Sequence, residues 1–308
     1  MKITISISIF NAGVYLRDTL ESVLNQEYKN LEVLLVDDGS TDNSPEICFK
    51  FCQYDTRFKY IRQNNRGLSA ARNTGIYHAG GDYIWFLDAD DMIEENALVN
   101  IVQYLSDIPM SPDILFSNSL LFTEKGPIKK NKYKYDINFL REANFDQVFC
   151  YLFESFGNVW SVWCHLFKME YIKNNNLLFD INLKRGEDLD WMIKSILAAK
   201  YFDAFPDYIH RYRCDAENSI HKQRAYDLFK SGYDVSVKWF RYFQHIYNGQ
   251  ARDYMLRYLA EYYVHFGSYI NTMPTAQKRE AMRLYRINID IAKYRSESMK
   301  RIKLLNFN

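Results

Sequence analysis

The N-terminal part of the chain alternates between two hydrophobic periods. Residues 3–10 place isoleucine at every second position, which is the period of a β-strand, and residues 14–24 repeat leucine and valine at helical spacing. The same change of period recurs up to about residue 118, with turn residues between the runs. Such alternation predicts an α/β domain with a mostly parallel sheet flanked by helices.

The other predicted elements follow from the same periodicity and from the turn residues that separate them. The predicted strands are 3–10, 31–36, 60–61, 83–87 and 114–116, and the predicted helices are 14–24, 44–54, 68–79 and 94–105. Residues 124–136 are basic and polar and predict a solvated surface loop. Further helices are predicted at 145–156, 162–174, 191–199, 226–247, 251–269 and 276–292, with short strands at 201–202 and 208–212.

One predicted strand ends in a cluster of carboxylates. Residues 83–87 are continuously apolar, as in a strand buried on both faces, and Asp88, Asp90 and Asp91 follow directly. Crowded carboxylates repel one another, so a hard divalent cation with oxygen ligands is the expected occupant. The alternative is a helix start, in which Asp90 or Asp91 caps the next helix.

A second predicted strand also ends in acids, Asp37–Asp38. Ligands of open α/β sheets bind outside the carboxyl ends of the strands, so both acidic ends are expected to line one crevice. A further acidic group, Glu187–Asp190, lies at the start of a predicted helix, where it provides either helix caps or catalytic carboxylates.

Composition and charge narrow the function classes. Lys and Arg number 39 against 38 Asp and Glu, and no nucleic-acid module is present, so nucleic acid is not an expected partner. The five cysteines have no zinc-type spacing, and their odd number favours a reducing compartment. Because neither a signal-peptide pattern nor an apolar run of about 18 residues occurs, we expect a cytoplasmic protein, free or peripheral on the cytosolic face of the inner membrane.

These features resemble family 2 glycosyltransferases of the bacterial surface-glycan type, and the match covers roughly the first 220 residues. The resemblance implies the GT-A fold, a Rossmann-like, mostly parallel sheet flanked by helices, here followed by a C-terminal helical extension. The segments that carry the resemblance, in the family order and spacing, are Ile9–Ala12, Val36–Asp42, Asn64–Gly75, Phe86–Asp91, Trp163–Lys168 and Gly186–Asp188.

The resemblance implies a nucleotide-sugar site. Phe10 is expected to lie on the nucleotide base and Asp38 to accept a hydrogen bond from it, while Asp88 faces the ribose or the metal. The family usually has Pro and Tyr where this chain has Ser8 and Phe10; Phe keeps the stacking face, and Ser8 adds a hydrogen-bonding group. Arg72 falls in the segment that contacts the donor, although pairing with a core carboxylate is the alternative.

The resemblance also assigns catalytic and metal-binding roles. Asp90, the second acid of the DxD motif, is expected to hold Mn2+ or Mg2+, and Asp188 falls where the family places its catalytic base. His221 lies where several relatives close the site over the diphosphate and would be a further metal ligand, with a surface or core histidine as the alternative. Asp91 is expected to start the following helix rather than contact the ion.

The predicted organisation is a catalytic domain over residues 1–222 and a helical region over 223–308. The catalytic domain has a nucleotide-sugar-binding half, 1–118, and an acceptor-binding half, 119–222. Between residues 278 and 303 the chain has nine Lys or Arg and three acids on an amphipathic helical pattern. This pattern is typical of a helix docked on the catalytic domain or on a second subunit of a homo-oligomer; contact with an anionic membrane surface is the alternative.

The expected function is metal-dependent, inverting transfer of a sugar from a nucleoside-diphosphate sugar, with UDP as the expected carrier, to a hydroxyl of a glycan or lipid-linked acceptor. Surface polysaccharide, lipopolysaccharide or glycoconjugate synthesis is the expected context. The alternative is a non-catalytic nucleotide-sugar-binding scaffold. A nucleotidyltransferase is disfavoured because residues 11–14, after the first strand, are Asn-Ala-Gly-Val rather than a basic glycine-rich loop.

Overall fold

The computed structural model describes residues 1–130, 134–156, 161–183, 185–215 and 225–296. It confirms the predicted α/β fold. The strands are β1 (Ile3–Ile9), β2 (Leu31–Asp37), β3 (Phe58–Arg62), β4 (Tyr83–Asp88), β5 (Met92–Ile93), β6 (Ile114–Thr123), β7 (Gly126–Lys130), β8 (Leu166–Lys168) and β9 (Phe202–Arg213). The helices are α1 (Leu16–Leu24), α2 (Ser44–Tyr54), α3 (Leu68–His78), α4 (Ala97–Asp107), α5 (Ile137–Glu142), α6 (Phe145–Phe156), α7 (Met169–Asn174), α8 (Glu187–Ala198), α9 (Ala225–His245), α10 (Arg252–Gly267) and α11 (Thr275–Ile287).

The strands form a single sheet in the order β3-β2-β1-β4-β8-β6-β9-β5, with β7 paired to β6. The first four strands in this order are parallel to one another, whereas β8 is antiparallel to both of its neighbours. Because β1, β2 and β4 are parallel and adjacent, their carboxyl ends meet at one edge, with Ser8 in register with Val36 and Asp88.

Burial on both faces explains the composition of the central strands. In β1 the alternating Ile3, Ile5, Ile7 and Ile9 are at most 1% exposed, and Thr4 and Ser6 between them are equally inaccessible. A sheet covered by helices on both sides has this pattern, and the apolar area that it removes from water is the main favourable contribution to its folding.

The chain divides into two compact units. The first comprises Met1–Phe145, Trp160–Ile181 and Trp191–Ser219 and contains the sheet; the second comprises Asp146–Val159, Asn182–Asp190 and Ile220–Asn308. In the second unit, α9 packs closely on α10: a Cβ added to Gly232 would lie 2.1 Å from Cγ of Phe266. The domain boundary that we placed at residue 222 stays a prediction.

Three local predictions were wrong. Residues 126–130 are a strand paired with β6 rather than a loop, and the two short strands predicted between 201 and 212 are the single strand β9. Residues 166–168 are strand β8, inside the helix predicted over 162–174. In each case pairing with another strand decides the structure: β7 and β9 pair with β6, and β8 pairs with β4 and β6. The hydrophobic periodicity within a segment contains no information about such pairing.

Within the described residues, none of the helices is both long enough and apolar enough to span a bilayer.

Candidate functional site

Asp38 follows β2 at the carboxyl edge of the parallel strands and is almost fully buried, at 4% exposed. Its Oδ1 accepts hydrogen bonds from Gln63 Nε2 at 2.7 Å and from the Arg66 N–H at 2.9 Å, and its Oδ2 accepts one from the Gly67 N–H at 2.7 Å. Asp38 therefore holds the loop that leads into α3. The expected contact with a nucleotide base stays a prediction.

Arg72 on α3 is only 2% exposed, and its Nη2 lies 3.2 Å from Oδ1 of Asp88, the last residue of β4. The guanidinium also lies over the ring of Phe179, 5.2 Å from the ring centre. The Asp88 side chain remains 29% exposed. The pair thus places a buried positive charge behind a carboxylate that solvent can still reach.

Two side chains at the carboxyl end of β1, Phe10 and Ser8, lack the packing or hydrogen bonds that are usual for a core residue. Phe10 is 51% exposed, which is high for a large apolar ring. Ser8 Oγ is buried, and no hydrogen-bond partner for it occurs among the described residues. A buried hydroxyl without a partner costs free energy that a ligand can recover, so both side chains suit a bound aromatic or polar group.

Asp90 combines burial with a neighbouring acid. Burial and, to a smaller extent, the proximity of Asp91 together raise the pKa of Asp90 from 3.8 to about 6. Both effects favour the neutral form of the Asp90 carboxyl group. A bound cation would favour the ionised form and lower the pKa of Asp90.

The donor set fits a divalent cation of the Mg2+ type. Such an ion is commonly held by one or two carboxylates, with waters and substrate phosphates completing its shell. In the part of the chain that the structure describes, no three His, Cys, Asp or Glu side chains are grouped to hold a metal by themselves. Asp90, with Asp88 nearby in sequence, would supply the protein ligands, and His221 lies outside the described residues.

Asp91 does not start a helix, because α4 begins at Ala97. It is 1% exposed, its Oδ1 accepts a hydrogen bond from the Arg213 N–H at 2.8 Å, and its Oδ2 lies 3.0 Å from Nε2 of the fully buried His210. Burial raises the pKa of Asp91 and lowers that of His210 to about 3, so both shifts favour uncharged forms. The other ring nitrogen, Nδ1, lies 2.9 Å from Ser119 Oγ.

Arg213, the last residue of β9, connects this strand to α1 and to the loop after β4. Its Nε donates to the carbonyl oxygen of Asp90 at 2.9 Å, and its Nη2 lies 3.1 Å from Oδ2 of Asp18 on α1. The guanidinium carbon lies 4.7 Å from the ring centres of both Tyr15 and Phe122. The loop that contains Asp90 is therefore fixed by a buried cation between two aromatic rings.

Asp188 is the second residue of α8 and lies, half-buried, in the second unit. In that unit Asp190, two residues later and fully buried, accepts hydrogen bonds at its Oδ1 from Lys238 Nζ at 2.6 Å and Trp239 Nε1 at 2.9 Å. The first turn of α8 is thus anchored to α9. The assignment of Asp188 as a base stays a prediction.

The first unit therefore brings together Ser8, Phe10, Asp38, Arg72, Asp88 and Asp90. Sequence reasoning missed Asp91, His210 and Arg213 as partners of this group. The sequence does place His210 and Arg213 on a predicted strand directly before a polar segment, which could have marked them as candidates. Their pairing with Asp90 and Asp91 could not be predicted, because it joins residues about 120 positions apart.

Residues 4–152 match the sequence model of a family described as Glycosyl transferase family 2. Glycosyltransferase GlyA of Streptococcus pneumoniae serotype 4 is 46% identical over 122 residues, which are 38% of this chain and 18% of the relative. Glycosyltransferase GlyG of the same organism is 40% identical over 123 residues, 40% of each chain. The matches thus span less than half the length of these relatives.

Among solved structures, S. aureus TarS 1-349 in complex with UDP-GlcNAc has a TM-score of 0.68 at 18% identity. The match covers 98% of this chain and 92% of that one. At this level of identity the likeness shows a common fold. It confirms the GT-A architecture that the sequence motifs predicted.

Proposed function

We propose that the chain is a family 2 glycosyltransferase that transfers a sugar from a nucleoside-diphosphate sugar to an acceptor hydroxyl, with inversion at the anomeric carbon; the match of residues 4–152 to the sequence model of that family supports this. The observation that carries the proposal is the group formed by Asp38, Arg72, Asp88 and Asp90 at the carboxyl edge of the parallel strands. Binding of UDP-GlcNAc by the structurally similar TarS supports UDP as the carrier.

In the proposed donor site, Phe10 lies against the base and Asp38 accepts a hydrogen bond from it. Ser8 Oγ adds a further hydrogen bond to the base, and Asp88 faces the ribose or the metal. The free hydroxyl of Ser8 and the exposed ring of Phe10 support this arrangement. Arg72 orients Asp88 through the contact between Nη2 and Oδ1.

In the proposed reaction, the acceptor oxygen attacks the anomeric carbon while the bond from that carbon to the diphosphate oxygen breaks. Asp188 accepts the proton of the acceptor hydroxyl, a role that typically contributes ~10²–10⁴-fold to the rate. A divalent cation held by Asp90 would stabilise the negative charge that develops on the leaving diphosphate. A single displacement inverts the anomeric centre and needs no covalent intermediate.

A donor panel tests this function. Purified protein is incubated with UDP-, GDP- and dTDP-sugars and lipid-linked or free saccharides, with Mn2+, Mg2+ or EDTA, and nucleoside diphosphate release is measured. We expect release with one donor, its loss in EDTA, and its loss in Asp90→Asn. Tight donor binding without turnover of any donor would instead support the alternative, a non-catalytic scaffold of a glycan assembly complex.

We further propose a surface glycan or lipid-linked saccharide as the acceptor, with peripheral membrane contact through α11. One side of this helix is docked within the second unit, where the Tyr263 hydroxyl donates to the Tyr285 carbonyl oxygen at 2.7 Å. The opposite side presents Arg279, Arg283 and Arg286, all exposed, beside Ile287, which is 64% exposed. The exposed arginines beside Ile287 support the proposed membrane contact.

Vesicle co-sedimentation tests the membrane contact. We expect binding to vesicles that contain anionic phospholipid, little binding to purely zwitterionic vesicles, and a marked loss of binding when Arg279, Arg283 and Arg286 are replaced by Glu. Equal binding by this triple variant would contradict the proposal.

A further inference from the structure

One face of α10 carries a row of aromatic side chains. Tyr258, Tyr262 and Phe266 recur at four-residue intervals and Tyr269 follows in the next turn, a spacing that places them on one side of a helix. The rings of Tyr258 and Tyr262 are nearly parallel, at 25°, with centres 6.0 Å apart, and those of Tyr262 and Phe266 are 4.6 Å apart. All four side chains are half-buried rather than enclosed.

The row lies beside the segment that precedes the proposed base, in the same compact unit. A Cβ added to Gly186 would lie 3.7 Å from the Tyr262 hydroxyl oxygen and 3.0 Å from Cγ2 of Val235 on α9. Gly186 also has a φ of +72°, which a residue with a side chain rarely adopts. Position 186 therefore needs glycine for two reasons: its backbone conformation, and the short distance from this residue to Val235 of α9 and Tyr262 of α10.

Side-chain anchors hold this segment in place. The Asp190 N–H donates to the Gly186 carbonyl oxygen at 3.0 Å, and the Asp190 carboxylate is fixed by Lys238 and Trp239. The distance between Asp188 and the aromatic row is consequently set by a buried network in the second unit rather than by a loose loop.

The members of the row differ in what they contact. Phe266 packs into the space left by Gly232 and so docks α10 on α9. Tyr258 and Tyr262 keep part of their surface open, yet burial raises the pKa of both phenols above the usual range, and for Tyr262 the charges of Glu187 and Asp188 add to the effect. The two tyrosines are thus partly open to solvent, and the Tyr262 hydroxyl oxygen lies close to the backbone of Gly186.

A cation, Arg185, lies near the aromatic row. Arg185 is half-buried, and burial lowers its pKa, while the nearby groups Glu187, Tyr269 and Tyr262 oppose that shift. A guanidinium provides several N–H donors in a fixed plane, which suits hydroxyl oxygens. Aromatic rings with a charged donor nearby suit a ligand ring that is apolar on its faces and polar around its rim.

We propose that Tyr258 and Tyr262 form a stacking platform for a pyranose ring of the acceptor saccharide, with Arg185 donating hydrogen bonds to its hydroxyls. The axial C–H groups on a sugar face meet the electron-rich faces of the two phenol rings. A saccharide seated there would direct a hydroxyl towards Asp188. This inference rests on the proposed transfer function and assigns part of acceptor recognition to the C-terminal helices.

Saturation-transfer NMR with methyl β-glycosides of glucose, galactose and N-acetylglucosamine tests the platform without any turnover. We expect saturation on the ring C–H protons of at least one glycoside with the full chain, and a signal about 3- to 10-fold weaker with Tyr262→Ala. Tyr262→Phe keeps the aromatic face and should retain most of the signal. Tyr54→Ala, which removes a ring that is 79% exposed in the first unit, serves as the matched control.

Kinetics supply the second readout. Tyr262→Ala should raise the KM for the acceptor about 3- to 10-fold and leave the KM for the donor unchanged, with an unfolding midpoint close to that of the native protein. Native binding of all glycosides by Tyr262→Ala, no binding by the native protein, or an equal loss of donor affinity would overturn the platform. Glycoside binding through Tyr262 without release of nucleoside diphosphate would instead contradict the transfer function and leave the platform standing.

Discussion

Arg213 donates a hydrogen bond from Nε to the carbonyl oxygen of Asp90 at 2.9 Å, across 123 residues of sequence. The same side chain is only 4% exposed and reaches Asp18 on α1. The proposed metal ligand is therefore positioned by a residue that does not belong to its motif. Groups that orient a metal ligand typically contribute 10–100-fold to metal affinity or activity.

Arg213→Met should accordingly raise the Mn2+ concentration needed for half-maximal nucleoside diphosphate release by roughly 10–100-fold. The methionine keeps much of the apolar stem but cannot bond the Asp90 carbonyl. Arg17→Met is the control, because Arg17 is 55% exposed on α1 and pairs with Glu21, which is also exposed. Equal Mn2+ requirements in native protein and Arg213→Met would show that this contact does not position Asp90.

Asp90 and Asp91 illustrate which features of the site the sequence predicts and which it does not. The apolar run of β4 and the acids after it predicted the strand and its place at the sheet edge, because both depend on local periodicity and on the topology of parallel strands. Asp91 looked like a helix cap because its immediate neighbours allow one. Its actual partners, His210 and the N–H of Arg213, lie about 120 residues away, and local pattern contains no information about them.

The same limit applies to β7 and β8. Both are short strands whose pairing with β6 fixes them, in segments that predicted a loop and a helix. Asp190 is a further case, since the acidic sequence at this helix start does not reveal its partners, Lys238 and Trp239 of α9.

Replacement of Asp188 tests the catalytic assignment. If the carboxylate removes the acceptor proton, Asp188→Asn should lower kcat by ~10²–10⁴-fold and leave donor affinity, measured by calorimetry, within about twofold of native. Asp107→Asn, an exposed carboxylate at the end of α4, is the charge-matched control. Full transfer by Asp188→Asn would assign the base to another residue.

Glu32 on β2 should make stability depend on acid pH. Its carboxylate is 4% exposed and accepts hydrogen bonds from Lys2 Nζ, Thr4 Oγ1, the Gly80 N–H and Lys59 Nζ. Burial alone would raise the pKa of Glu32, but these bonds outweigh it and lower the pKa from 4.5 to about 2. Since the folded pKa is the lower one, the stabilisation is complete above about pH 4.5 and is lost as the pH falls towards 2.

We therefore expect Glu32→Gln to lower the free energy of unfolding of the first unit by about 2–3 kcal/mol at pH 7, and by less than half as much at pH 3. Urea denaturation at the two pH values measures both differences. Glu95→Gln, at an exposed position, should change neither. A loss that is the same at pH 3 and pH 7 would mean that the charge of Glu32 is not what stabilises the fold.

Two lysines on α9 allow a matched comparison of a buried and an exposed ion pair. Lys238 and Lys230 are each 40% exposed, but Lys238 pairs with Asp190, which is fully buried, and Lys230 pairs with Asp234, which is 34% exposed. Removing Lys238 takes the cation away from a fully buried carboxylate that still accepts a bond from Trp239, whereas Asp234 can turn to water. Breaking a buried pair typically costs about 3–5 kcal/mol and breaking an exposed one below about 1 kcal/mol.

Lys238→Met should therefore destabilise the second unit by about 2–4 kcal/mol, the lower bound reflecting the remaining Trp239 bond, whereas Lys230→Met should cost below about 1 kcal/mol. Denaturant unfolding followed by tryptophan fluorescence measures both values, since Trp239 lies at the contact. Because Asp190 anchors the first turn of α8, Lys238→Met should also reduce transfer at temperatures where the unit remains folded. Equal destabilisation by the two variants would show that burial of Asp190 does not determine the strength of its pairing.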